Sequence, residues 1–300
     1  MNPALLPTLP RSVLRGIGQI FLQRSAGCGL AVLAAMALQA PQLALACALG
    51  ALVATLAGRR LHEAQALDDG LFGFNGALAG LGVLIVLAPG PLAWALVVAA
   101  SLLATALLLF LRRRLPVSPY TAPFVLVTWG VMALATVAPL APATPIVSVD
   151  VGWSEVANGI LRGIGQVVFL DHPMAGALCL LGLLLAGPRV AVTALIAATA
   201  GLALARALGF PDAPAALGLY GYNAVLTVIA LLPRIQVKGQ RWIVVAAAVL
   251  TVLLVRGVQL LGLPALTAPF VLATWLLLRV SRAPADAPAS VSTTPSPASD

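Results

Sequence analysis

The stretch GLFGFNGAL at residues 70–78 returns later in the chain as GLYGYNAVL at residues 218–226. The two copies align without a gap, so Phe74 of the first corresponds to Tyr222 of the second, at an offset of 148 residues. Each copy has an aromatic residue followed by asparagine, and a leucine four positions after the aromatic residue. The chain is therefore expected to contain two related halves.

Two further motif pairs support this interpretation. LRGIGQ occurs at residues 14–19 and 161–166, an offset of 147, and APFVLVTW at 122–129 returns as APFVLATW at 268–275, an offset of 146. Three pairs in the same order and at nearly one offset predict a two-fold internal repeat. Many transporters are built from such repeats, with the solute site at the interface between them.

The composition predicts a membrane protein. Hydrophobic residues make up 61% of the chain, charged residues 9%, and the mean hydropathy is +1.05, which is far from the values of soluble domains. Proline, glycine and charge divide each half into five apolar segments. They are 26–40, 42–58, 70–88, 91–111 and 121–139 in the first half, and 173–187, 189–207, 217–232, 242–262 and 267–280 in the second. Several are shorter than the ~20 residues that cross a bilayer, so some are expected to be broken or partial spans.

A shorter stretch precedes each set of five, at 11–24 and 158–171, and is predicted to be re-entrant. Because five is an odd number, the second half is expected to be inverted. The predicted fold is thus an all-α polytopic membrane protein with two inverted repeats of five transmembrane helices, each with a re-entrant pore helix. Its parts are an N-terminal segment (1–10), repeat 1 (11–140), a linker (141–157), repeat 2 (158–280) and a disordered C-terminal tail (281–300).

The positive charges fit this topology. With five spans in each half, all basic residues except Arg162, Arg206 and Arg256 lie on one side of the membrane, as the positive-inside rule requires of a cytoplasmic face. Both termini are therefore predicted to be cytoplasmic, in a bacterial plasma (inner) membrane. The net charge of +8 is explained by topology and does not indicate a nucleic-acid partner.

The acidic residues narrow the function. None of the nine lies in the middle of a predicted span, whereas ion-coupled carriers and pumps usually have an ionisable group at membrane depth. The sequence also has no phosphate-binding Gly-Lys-Ser/Thr loop, no metal-binding cluster and no nucleophile paired with a base. We therefore expect neither an enzyme nor a cofactor or metal, but the passive passage of an uncharged solute.

The polar residues predicted at membrane depth are neutral and come in repeat-related pairs. Gln19 with Gln166 and Thr128 with Thr274 could accept hydrogen bonds from solute N–H groups in a narrow pore. A single threonine in a membrane helix more often bonds its own helix backbone. Their pairing across the repeat favours the role in the pore.

A second set of positions combines asparagine and aromatic residues. Asn75 and Asn223 could line the path or could satisfy backbone groups where a helix is interrupted. Phe74, Tyr222 and Phe169 could provide flat apolar walls for a planar solute, although single aromatic residues in apolar segments usually serve packing.

These motifs, namely RGIGQ, GLYGYN and the repeated PF-x-x-x-TW, closely resemble those of the urea transporter family, over about residues 11–280. The resemblance implies a channel-like facilitator of urea that is surrounded by membrane lipid and forms a homotrimer with one pore in each subunit. It assigns roles by motif position: Gln19 and Gln166 as amide-oxygen acceptors at the two ends, Thr128 and Thr274 at the central constriction, Phe169, Phe74 and Tyr222 as slot walls, and Leu78 and Leu226 narrowing the middle.

One position departs from this pattern. Leu22 stands where the second half has Phe169, so one slot would have an aliphatic wall, unless Phe21 takes this place through a shift in register. The predicted function is passive urea transport down its gradient. Leu22 leaves open a channel for another small neutral solute, such as a short amide, ammonia or water. A membrane enzyme or a structural subunit is the remaining alternative.

Overall fold

The computed structural model describes residues 8–61, 63–144, 152–237 and 239–281. This part of the chain is helical and contains no β-strand, only one isolated bridge between Leu87 and Pro142. The helices are α1 (Leu9–Gly18), α2 (Ala26–Gln39), α3 (Pro41–Arg59), α4 (Ala64–Asp68), α5 (Gly73–Val86), α6 (Pro91–Arg114), α7 (Ala122–Val137), α8 (Glu155–Gly165), α9 (Pro173–Ala186), α10 (Pro188–Ala207), α11 (Asp212–Ala216), α12 (Tyr222–Ala230), α13 (Leu232–Ile235), α14 (Trp242–Leu260) and α15 (Ala268–Val280). The predicted tail lies outside the described residues except for Ser281.

Every predicted apolar segment contains a helix, but the helices differ in length. Four of them, α3, α6, α10 and α14, are individually long and apolar enough to cross a membrane. The bent pairs α1–α2 and α8–α9 raise the number of candidate spans to six when each pair is taken as one. Helices α5, α7 and α15 are apolar but shorter, at 14, 16 and 13 residues. The described chain is thus a multi-pass integral membrane protein.

Two of the predicted segments, 70–88 and 217–232, begin with a turn instead of a helix. Gly70 and Gly218 have left-handed backbone angles, with φ of 77° and 76°, which delay the helix until α5 and α12 begin. A Cβ at Gly70 would also overlap Gly16 N of α1, and a Cβ at Gly218 would overlap Gly163 N of α8. Glycine here permits both the turn and the close approach.

The two bent pairs are where re-entrant segments are predicted. Helix α1 and its 3-10 turn Gln19–Phe21 meet α2 at 76°, and α8 and its 3-10 turn Gln166–Val168 meet α9 at 71°. Helix α8 begins at Glu155, inside the stretch predicted to be linker, because Ser154 Oγ caps it by accepting a hydrogen bond from Ala157 N at 3.3 Å. Residues 145–151 of that linker lie outside the described chain.

Small residues bring neighbouring helices close together within each half. A Cβ on Gly50 of α3 would overlap Gly76 O of α5, and a Cβ on Gly80 would lie 2.5 Å from Ala46 O. The glycines of α5 therefore serve helix packing, as is common for helices in a membrane.

Reciprocal hydrogen bonds connect the two halves. Trp129 of α7 donates from Nε1 to Pro264 O at 3.0 Å, and Trp275 of α15 donates from Nε1 to Ser118 O at 2.9 Å. Both donors and acceptors are repeat equivalents, at an offset of 146 residues. Such reciprocity is the contact pattern of two-fold related surfaces.

Large apolar side chains also cover the outside of the helices. The most exposed of them have 64% or more of their surface free in the isolated chain, namely Leu38, Val137, Val245, Leu260 and Leu261. A soluble monomer rarely exposes so much apolar surface. This exposure agrees with a multi-pass integral membrane protein.

Candidate pore

Gln19 and Gln166 occupy matching positions at the ends of α1 and α8, where each helix tightens into its 3-10 turn. Gln19 Nε2 donates to Asp69 O at 2.9 Å, and Gln166 Nε2 donates to Leu217 O at 3.0 Å. Both side chains are half-buried. A backbone carbonyl thus uses one of the two N–H groups of each amide, and each side chain keeps its Oε1 as an acceptor for a ligand.

Leu22 and Phe169 end the two 3-10 turns in the same unusual conformation. Their φ angles are 61° and 62°, in the left-handed region that residues other than glycine seldom adopt. Leu22 N donates to Gln19 O at 2.8 Å, and Phe169 N donates to Gln166 O at 3.1 Å. The two turns therefore place these half-buried side chains in equivalent positions.

The suggestion that Phe21 replaces the missing aromatic residue through a register shift is wrong. Phe21 lies inside the 3-10 turn with no exposed surface, as does its repeat equivalent Val168. The backbone follows the same path in both halves, so Leu22 remains the counterpart of Phe169.

The side chains of Asn75 and Asn223 form hydrogen bonds with backbone groups. Asn75 Nδ2 donates to Tyr120 O at 3.1 Å, and its Oδ1 accepts a hydrogen bond from Phe124 N at 3.2 Å. Asn223 forms the equivalent pair, at 3.1 and 2.9 Å, with the corresponding residues at the start of α15. The structural interpretation of these two residues is therefore confirmed: each fixes the loop ahead of a helix and satisfies an N–H of its first turn.

The aromatic and leucine candidates lie one turn apart on α5 and α12. Phe74 and Tyr222 are 4% and 8% exposed, and Leu78 and Leu226 are each 1% exposed. Tyr222 Oη donates to Leu266 O at 2.6 Å, so its hydroxyl is already occupied. What both aromatic residues can present to a solute is an apolar ring.

Thr128 and Thr274 have buried hydroxyls without a hydrogen-bond partner among the described residues. Their exposed fractions are 1% and 0%. By contrast, buried Thr227 and Thr251 donate to carbonyls of their own helices at 2.9 and 2.6 Å. The Thr128 hydroxyl lies against Gly82 of α5, where a Cβ would overlap it. A buried hydroxyl without a partner is costly, so this pair calls for an explanation.

The elements that carry these candidates are neighbours. The two 3-10 turns contact each other, the first also contacts α5, and the second contacts α12. Helices α7 and α15, which carry the threonines, pack on α5 and α12 respectively. None of the candidates hydrogen-bonds to another through its side chain within the described chain. The structure therefore brings the segments together without linking the side chains directly.

Comparison with known proteins identifies the family. The family model described as "Urea transporter" matches residues 11–282, which include both halves. The chain belongs to the urea transporter family. Urea transporter 1 of Ovis aries and that of Capra hircus are each 28% identical to it over 291 residues, covering 89% of this chain and 75% of the relative. Urea transporter 1 of Rattus norvegicus is 29% identical over 238 residues, covering 73% and 62%.

Sequence reasoning on this urea transporter family member missed a central polar contact. Thr121 Oγ1 and Thr267 Oγ1 lie 2.6 Å apart, both buried, at the residues that precede α7 and α15. A signal was present, because the repeated motif extends by one residue to TAPF at 121–124 and 267–270. These residues connect the two halves at equivalent points.

Two aromatic contacts were also missed. The rings of Phe124 and Phe169 have centroids 6.1 Å apart at an interplanar angle of 64°, and those of Tyr120 and Phe270 lie 5.3 Å apart at 69°. Both are edge-to-face contacts, and each joins a residue of one half to a residue of the other. Repeat pairing could not reveal them, because neither Tyr120 nor Phe169 has an aromatic equivalent.

The charges beside Gln19 are paired with one another. Asp68 accepts a hydrogen bond from Arg15 Nη1 at 2.6 Å, and Asp69 forms an ion pair with Arg24 at 3.0 Å. Each carboxylate therefore has a guanidinium partner. Charged residues of both signs therefore lie beside the neutral amide of Gln19.

Proposed function

We propose that this chain conducts urea passively across the membrane, through a path at the interface of its two halves. Membership of the urea transporter family supports urea as the solute. The structural observation that carries the proposal is the pair of buried, unpartnered hydroxyls of Thr128 and Thr274. They are repeat equivalents, and a solute with N–H and C=O groups could both donate to them and accept from them.

The proposed path uses two kinds of side chain. Urea is planar: its N–H groups lie along its edges, and its two flat faces can pack against apolar rings. The Oε1 atoms of Gln19 and Gln166 would accept hydrogen bonds from N–H groups near the two ends. Rings such as Phe169 would cover the faces and exclude water. Weak binding at several successive points would let the solute leave quickly.

The middle of this path is narrow. Leu78, Leu226 and the two threonine hydroxyls are almost completely buried, so a water-sized sphere hardly reaches them. In our proposal urea passes when the leucine side chains change rotamer. The constriction would then exclude hydrated ions, since two hydroxyls cannot replace a full shell of water ligands.

The arrangement of the halves is part of the proposal. We infer two inverted repeats of five helices with a re-entrant pore helix each, repeat 1 within 11–140 and repeat 2 from Glu155 to about 280. The reciprocal tryptophan bonds between the halves and the Thr121–Thr267 contact support a two-fold relation. A homotrimer in a bacterial inner membrane, with both termini cytoplasmic, completes the proposal.

Stopped-flow light scattering on proteoliposomes tests the function. An inward urea gradient should drive entry much faster than into empty liposomes, and faster than glycerol. Gln166→Leu or Thr274→Val should slow urea about tenfold, because a solute N–H without an acceptor costs about 1–3 kcal/mol in a dry site. Thr251→Val is the matched control, since that hydroxyl bonds its own helix. Intact urea flux in both folded pore variants would refute the filter assignment.

Another small neutral solute is the alternative that one observation favours. Leu22 gives the first turn an aliphatic side chain where the second has Phe169. Two measurements separate the functions: urea entry in the presence of formamide, acetamide or methylurea, and the entry of each of these amides alone. Weak competition by every amide supports urea, whereas faster flux of a short amide than of urea would assign the channel to that amide.

A further inference from the structure

The two halves place their aromatic residues differently at positions that are otherwise equivalent. In one contact Phe124 of α7 meets Phe169, the residue that ends the second 3-10 turn, at 6.1 Å between ring centroids. The repeat equivalents of these two residues are Phe270 and Leu22. The two-fold relation therefore places an aliphatic side chain beside Phe270, where the other half has a ring.

A different residue provides a ring for Phe270. Tyr120 contacts it edge-to-face, with ring centroids 5.3 Å apart. The repeat equivalent of Tyr120 is Leu266, just as the repeat equivalent of Phe270 is Phe124. One set therefore comprises Phe124, Phe169 and Leu266, and the other comprises their repeat equivalents Phe270, Leu22 and Tyr120. Each set has two aromatic residues and one leucine, but the leucine is in the loop before the helix in the first set and at the end of the 3-10 turn in the second.

The position of Tyr120 is fixed by its backbone. Its φ is 49°, a strained value for a bulky residue, and its carbonyl accepts the Asn75 amide at 3.1 Å. Leu266 has the same features, with a φ of 45° and a bond from Asn223 at 3.1 Å. The two loops therefore present these side chains from equivalent points.

Tyr120 also differs from Leu266 in what it exposes. Its side chain is only half-buried, whereas Leu266 is 5% exposed. Its hydroxyl has no hydrogen-bond partner within the described chain. A flat ring with a free hydroxyl at its edge matches a planar solute that has polar groups along its rim.

We propose that Tyr120 is a specificity-determining residue, which forms the aromatic wall of the solute slot on the Leu22 side and offers its hydroxyl to a planar amide. The two mouths would then differ in chemistry, one lined by Phe169 and the other by tyrosine. This inference rests on the proposed urea transport and identifies a residue for it that the repeat pattern does not reveal.

Reciprocal substitution tests the proposal in proteoliposomes. Tyr120→Leu should slow urea flux about two- to tenfold and raise the half-saturating urea concentration, as expected for the loss of one aromatic contact. Adding Leu22→Phe to this variant should restore flux to within about twofold of the wild type, because it moves the ring to the place that Phe169 occupies in the other half. Tyr120→Phe separates the two roles: it should preserve flux and alter the preference between urea and methylurea.

The outcomes are distinct. No urea flux in the wild type would refute the proposed function itself. With a conducting wild type, unchanged flux in Tyr120→Leu would refute the role of Tyr120. A slow Tyr120→Leu variant that melts like the wild type but is not rescued by Leu22→Phe would also refute it, since packing damage alone predicts no rescue.

Discussion

The contact between Thr121 and Thr267 gives a sharp prediction for stability. The two hydroxyls lie 2.6 Å apart, and their residues are 0% and 2% exposed. Neither hydroxyl caps the helix that follows it, although each residue stands at an N-cap position. Replacing either threonine with valine, which has nearly the same shape, therefore removes this one hydrogen bond and little else.

The expected magnitudes follow from burial. A single Thr→Val change leaves the other hydroxyl buried and unpaired, which should cost about 1–3 kcal/mol. Changing both threonines leaves no unpaired hydroxyl, so the double variant should be less destabilised than the sum of the singles. Hydrogen bonds between membrane helices have coupling energies of about 0.6 kcal/mol, with a maximum near 1.7 kcal/mol. We expect the upper part of this range, because the pair is buried from both sides.

A double-mutant cycle measures this coupling. The free energy of unfolding would be followed by tryptophan fluorescence during titration with SDS, for the wild type, both single variants and the double variant. Thr251→Val serves as the control, because its bond stays within α14 and its cost should add to that of Thr121→Val. Strict additivity between Thr121→Val and Thr267→Val would refute the reasoning, since two bonded hydroxyls must interact.

Two other predictions concern positions that shape the candidate pore. Asn75→Ala removes the two hydrogen bonds that fix the start of α7, at 3.1 and 3.2 Å. It should lower the free energy of unfolding in the same titration by about 1–3 kcal/mol. An unchanged value would contradict the stabilising role of these two bonds. Gly29→Ala places a Cβ on Leu14 O, where α1 packs on α2. The free energy of unfolding should fall by about 1–3 kcal/mol, and the melting temperature and the urea flux should fall with it. Gly130→Ala is its control, because nothing lies within 4 Å of that Cβ, and wild-type behaviour of Gly29→Ala would contradict the tight packing of α1 on α2.

The sequence alone was sufficient to predict the helical membrane class and the division into related halves. Three motif pairs at one offset carry that information, and the bends at the two 3-10 turns lie where re-entrant segments were expected. Helix lengths were less predictable. Gly70 and Gly218 delay α5 and α12 through backbone conformation, and hydropathy does not register this.

The site divides in a similar way. Residues that recur in both halves, such as Asn75 and Asn223, could be found by pairing, although only the structure shows that their amides serve the backbone. Tyr120 could not be found in this way, because its equivalent is a leucine and its ring contacts a residue 150 positions away, Phe270. A contact between the halves that is not symmetric leaves no trace in a repeat.

The bond from Gln19 Nε2 to the Asp69 carbonyl, and its counterpart at Gln166, use one N–H of each amide and leave the Oε1 of each side chain as an acceptor. In the proposed channel, a visiting molecule would then be sorted by how many hydrogens it can give. Urea has N–H groups at both ends, whereas acetone and dimethyl sulfoxide are of similar width but only accept. Such acceptor-only solvents would leave both Oε1 atoms without a donor, so we expect them to enter more slowly than urea.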